Sequence, residues 1–92
     1  MALQYGGTFA AKLFTYPGKG GWTFVAVPER LAPQVTRGWG RTPVRATVDG
    51  YAWSTSVWRD KGVRTLLAVP KAARQGKVHG DTVKVRLTFS AL

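Results

Sequence analysis

Sliding the chain over itself by 42 positions lays "YPGKGGWTFVAVP" (16–28) on "WRDKGVRTLLAVP" (58–70). Lys19 meets Lys61, Gly20 meets Gly62, Thr23 meets Thr65, and the two "AVP" triplets coincide. Upstream, Phe9-Ala10 falls on Tyr51-Ala52; downstream, with the offset relaxed to 41, "VRATV" (44–48) falls on "VRLTF" (85–89). The repeated unit reads strand, Lys-Gly turn, strand, proline, short helical turn, strand. Two copies are too few for a solenoid, which needs at least three stacked units. Two three-stranded units related by a twofold instead suit a small six-stranded barrel.

Local signals agree. "GTFAAKLFTY", "GWTFVAVP", "TPVRATVDG", "YAWSTSVW", "GVRTLLAVP" and "DTVKVRLTFS" are short runs rich in Val, Thr and aromatics, punctuated by Gly, Pro or Asp. "PERLAPQVTRGW" and "PKAARQGKVHG" read as helical turns; each follows a proline, and Pro33 and Gly76 limit their lengths. The expected fold is all-β: a six-stranded double-split-type β-barrel of two half-repeats, about 7–48 and 49–90, with two short helical turns, in a single domain 1–92. A chain of 92 residues with 45% apolar content supports one modest core. No cysteine is present, so neither disulfides nor thiolate metal ligands are available. The start "MALQYGGTFAAKLF" has no signal-peptide pattern, and no apolar run approaches a membrane span, so a cytoplasmic protein is expected.

The lysine among glycines in "YPGKGG" invites a phosphate-loop reading. That reading fails because Gly20, not Ser or Thr, follows Lys19, and a strand rather than a helix comes next. Glycine and Pro17 there suit a hairpin turn.

The motifs "YPGKGGW", "AVP", "DK", "LLAVPKAA" and "GDTV", spread over almost the whole chain, resemble the bacterial domain-of-unknown-function family nineteen-oh-five. The resemblance implies a small β-barrel similar in shape to the double-split barrel of the AbrB/MazE swapped-hairpin DNA binders. "VPKAARQGKVHGDTVKV" also resembles that superfamily's strand-Pro-helix-Gly-Asp-strand pattern. It carries over no functional residues. This chain departs from the family trend in a short linker between "AVP" and "GWG" and in unusually basic outward positions.

Chemistry-bearing residues are few. Glu29, Asp49, Asp60 and Asp81 each have a structural role at hand: a helical first turn, the Asp-Gly hairpin, the repeat turn and a strand start. His79 stands alone beside a glycine and reads as solvated surface. No catalytic residues, cofactor or metal site are expected, and the chain reads as non-enzymatic.

Charge is the unusual feature: 14 Lys and Arg against 4 Asp and Glu give +10. Such a balance fits a polyanionic partner, DNA or RNA, as well as a merely soluble surface. Alternation turns Arg45, Lys84 and Arg86 outward on their strands. Lys19 and Lys61 occupy hairpin tips, and Arg37, Arg41, Arg59 and Arg64 flank the turns. These nine cations are the candidate nucleic-acid contacts. Trp22, Trp39 and Trp58 border turns beside Lys or Arg and form a candidate aromatic patch, while Phe9, Phe24, Trp53 and Phe89 read as core. The alternative is a protein-interaction or small-ligand module at the tryptophan-lined turns, or a plain structural domain. A membrane partner is disfavoured because no amphipathic helix is long enough to lie in an interface. Monomer and homodimer both remain compatible.

Overall fold

A computed structural model describes residues 3–15, 22–32, 41–60 and 64–91. The strands are β1 (Leu3–Lys12), β2 (Phe14–Thr15), β3 (Thr23–Val27), β4 (Arg41–Val48), β5 (Tyr51–Asp60), β6 (Arg64–Ala68) and β7 (Thr82–Ala91). A 3-10 turn, Glu29–Leu31, follows β3, and a four-residue helix α1, Lys71–Arg74, follows β6. All strands join one antiparallel sheet in the order β1-β7-β4-β5-β6-β3-β2. The sheet curls into a half-barrel, and its two edge strands, β1 and β2, are separated in the chain only by Leu13.

The fold is therefore all-β as expected, but with seven strands among the described residues rather than six. The difference arises at Leu13, which is 1% exposed. Its N–H donates to the Asp81 carbonyl at 2.9 Å and its own carbonyl accepts from the Gly80 N–H at 2.8 Å, which keeps it beside β7. One residue later Phe14 pairs with Phe24 of β3. The chain changes partner at this buried corner, so one apolar run supplies two strands.

Alternation builds the core. Even-numbered residues Val44, Ala46 and Val48 of β4 are buried while Arg41, Pro43 and Arg45 are exposed. Odd-numbered residues Val83, Val85, Leu87 and Phe89 of β7 face the same interior, with Phe9, Val25, Val27, Val57 and Leu67. Pro43 is tolerated because β7 pairs with β4 only from Arg45 to Val48, which leaves one flank of β4 without that partner at residue 43. Leu66 breaks the pattern: it lies on the outer face yet is only 4% exposed, between its strand partners Trp58 and Ala26. Trp53, expected in the core, is only half-buried.

Both helical turns begin after a proline, Pro28 and Pro70, each in extended conformation. α1 ends one residue before the expected Gly76: Gln75 already takes a left-handed φ of 53°. The Gln75 side-chain amide donates to the carbonyls of Val48 (3.1 Å) and Asp49 (3.2 Å), pinning the helix end to the β4–β5 hairpin. That hairpin turns through Asp49 and Gly50, both at positive φ (46° and 89°), as a two-residue Asp-Gly turn requires. The "YPGKGG" turn lies outside the described residues.

Asp49 also ties the hairpin to β7. Its Oδ1 accepts from the Lys84 N–H at 2.9 Å, its own N–H donates to the Lys84 carbonyl at 2.9 Å, and its Oδ2 pairs with Lys77. The Lys77 ammonium, with help from the Lys84 amide, holds the Asp49 carboxyl below its ordinary value against the opposing effect of burial. A depressed carboxylate adds stability that is present above the unfolded value and lost as pH falls through the folded one. D49N is therefore expected to cost about 1–2 kcal/mol near neutrality. Its deficit relative to wild type should shrink in urea titrations taken below pH ~4; a deficit unchanged at that acidity would contradict this role.

Candidate functional site

The outer face of β1, β7, β4 and β5 gathers cations on a bed of small residues. On β7, Arg86 stands between Thr8 of β1 and Thr47 of β4, and Lys84 stands opposite Ala10. On β4, Arg45 stands between Thr88 and Ser54, and its Nη1 donates to the Ser54 hydroxyl at 3.1 Å. Because Arg45 pairs with Thr88 and Arg86 with Thr47, the two arginines are diagonal neighbours, a relation that places residues about 7–8 Å apart, with their β-carbons somewhat closer. At the far end of β4, Arg41 is paired with Trp58, and its guanidinium sits 5.9 Å from the indole centroid. Lys12 extends the charged set onto β1, opposite Thr82.

Three of the four acids are engaged elsewhere, and the Asp60 side chain lies outside the described residues. Glu29 pairs with Arg59 at 3.0 Å, Asp49 pairs with Lys77, and Asp81 Oδ2 accepts the Val78 N–H at 2.9 Å. Among the described residues none of them pairs with Lys12, Arg41, Arg45, Lys84 or Arg86. With a chain charge of +10, the cations of this face and their neutral Thr, Ser and Ala neighbours make it electropositive.

The structure divides the remaining sequence-predicted residues. Arg59 faces the other way, bonding Glu29 and reaching the Thr65 hydroxyl at 3.5 Å. Arg64 lies with its guanidinium 4.9 Å from the Phe14 ring centroid, on the outer side of β6, β3 and β2. Trp58 joins the cationic face and is 42% exposed, whereas Trp22 stacks on Phe24 at the start of β3 and is 57% exposed. The two tryptophans thus belong to different parts of the sheet. Lys19, Arg37, Trp39 and Lys61 lie outside the described residues. Lys12 was missed by sequence reasoning, although the alternation Phe9, Ala11, Leu13 signals that it points outward.

His79 is exposed and has a structural bond: its Nδ1 accepts the Thr15 N–H at 3.0 Å. Among the described residues no three His, Cys, Asp or Glu side chains gather as metal ligands, and no helix is long and apolar enough to cross a membrane.

A second feature is a cavity of about 320 Å³ where β5 parts from β6. Val57↔Leu67 is the last β5–β6 pair on that side, while β6 continues beside β3 to Ala68 and Val69. The wedge between them is lined by Trp22, Thr23, Trp53, Thr55, Ala68 and Arg74. Tyr51 stacks obliquely on Trp53, with centroids 5.9 Å apart.

No curated protein matches the chain. The profile of a domain of unknown function, DUF1905, matches residues 9–87, which takes in the cationic face, the cavity and nearly every strand that positions them. With that coverage, the chain belongs to the DUF1905 family.

Proposed function

We propose that the protein is a non-enzymatic nucleic-acid-binding domain that lays a phosphate backbone across the outer face of β1, β7, β4 and β5. The carrying observation is the juxtaposition of Arg45 and Arg86, flanked by Lys84, Lys12 and Arg41, without a carboxylate partner among the described residues. Threonine, serine and alanine between the cations let a backbone approach closely, and their hydroxyls add neutral phosphate donors. Trp58 beside Arg41 offers a stacking surface for an unpaired base, which favours single strands over duplex.

The reading includes the half-repeat origin of the fold. Strands β3, β4 and β6, β7 are each separated by a proline-led helical turn. Ala46 pairs with Leu87 and Val25 with Leu67, and these are mates at the offsets of 41 and 42 found in the sequence. A twofold through both pairs would exchange β3 with β6 and β4 with β7, and would carry Arg45 onto Arg86. The arms depart from that exchange, since β1 meets β7 in a different register from that in which β5 meets β4.

The test is anisotropy of labelled single-stranded DNA, RNA and duplex DNA titrated with protein at 50 and 200 mM salt. Micromolar binding whose logarithm falls linearly with log salt, by about 0.9 per phosphate neutralised on duplex and about 0.7 on single strands, is expected. Absence of binding to all three at 50 mM salt would overturn the reading.

A further inference from the structure

We propose that the wedge between β5 and the β3–β6–α1 corner is a binding site for a small planar aromatic carboxylate. It is distinct from the cationic face: Trp53 and Thr55 alternate along β5 with Ala52, Ser54 and Ser56, which belong to the opposite side of the strand. The site therefore goes beyond nucleic-acid binding and does not depend on it.

Ala68, Thr23 and Thr55, all with short side chains, are among the cavity's lining residues. Arg74, at its edge, donates from Nη1 to the Val69 carbonyl at 3.0 Å. At about 320 Å³ the space is at the small end of ligand pockets and suits a single-ring molecule.

The lining chemistry is specific in type. Trp22 and Trp53 supply indole surface on which a flat ring can stack, and Trp22 is 57% exposed. Arg74 has no carboxylate partner among the described residues, and its bond to Val69 uses Nη1 alone. The Nε–Nη2 edge of a guanidinium carries two parallel N–H groups, the geometry that matches a carboxylate in a two-pronged pair. Thr55 adds a hydroxyl at the wall. A ring with a carboxylate uses the indoles and the guanidinium together; an uncharged ring or a non-planar acid uses one of them.

Calorimetric titration of the whole chain with benzoate, benzamide and cyclohexanecarboxylate tests this. Benzoate is expected to bind with a millimolar or tighter Kd and the other two at least tenfold more weakly. R74Q and W22A, each checked for an unchanged fold by circular dichroism, are expected to weaken benzoate at least tenfold, whereas R45E/R86E leaves it unchanged. No heat with benzoate at 10 mM (roughly tenfold above the expected Kd), equal binding of the three probes, or undiminished binding by folded R74Q and W22A would each overturn the assignment.

Discussion

Replacing Gly6 by alanine is expected to destabilise the fold by about 3–4 kcal/mol, enough to lower the melting temperature on the order of 15 °C. Gly6 sits in the β1–β7 ladder opposite Thr88 with φ of +150°, a conformation that side-chain-bearing residues rarely adopt. A β-carbon built there would lie 2.0 Å from the Leu87 carbonyl oxygen and 2.9 Å from its carbon. Those atoms are backbone of β7, a strand fixed between β1 and β4, so no rotamer change relieves the clash. The ladder must part locally, and Leu87, 1% exposed at the centre of the core, moves with it. Gly7 is the control. Its added β-carbon would meet only the Leu31 Cδ2 at 2.8 Å, the free end of a flexible side chain, so G7A is expected to stay within about 1 kcal/mol of wild type. Urea unfolding of the two variants decides the matter; equal midpoints would show that β1 does not approach β7 as described.

The second large effect concerns binding. R45E/R86E is expected to lower affinity for single-stranded nucleic acid by about 30-fold or more at 100 mM salt. Each lost phosphate contact forfeits about 0.7 of a log unit per decade of salt below 1 M on a single strand, and two contacts therefore forfeit about 1.4 units at 0.1 M. The introduced glutamates add repulsion to that loss. The salt slope should fall by about the same 1.4, a second readout that a merely misfolded variant would not reproduce. Stability should change little, because both side chains are exposed and Arg45 forfeits only a surface bond to Ser54. K71E, an exposed change on α1 away from the four-stranded face, is the charge control and is expected to cost less than half as much as the pair in log units. K71E changes the charge by two units and the double variant by four, so a K71E loss reaching half the pair's in log units would mean that net charge alone, not this face, attracts the polyanion.

Sequence alone determined the all-β class and the six strand-forming runs, the inward and outward faces of β4 and β7, the Asp49-Gly50 hairpin, the proline-led helical turns and the family. Each of these is local: a two-residue alternation, a turn preference or an ordered motif is written in consecutive residues. Arg45 and Arg86 were also legible as an outward pair, since exposure follows from strand parity. Tertiary structure decided what depends on which strands meet. Leu13 lies in an unbroken apolar run, and only its bonds to Asp81 and Gly80 divide that run into two strands. Strand register chose which cations share a face, adding Lys12 and diverting Arg59 to Glu29. Trp53 follows the same alternation as the core residues, but β5 leaves β6 at Val57, and the missing neighbour turns a core position into a cavity wall. Parity along a strand tells a side chain which way to point; the partner strand, which the local pattern does not specify, settles what it meets there.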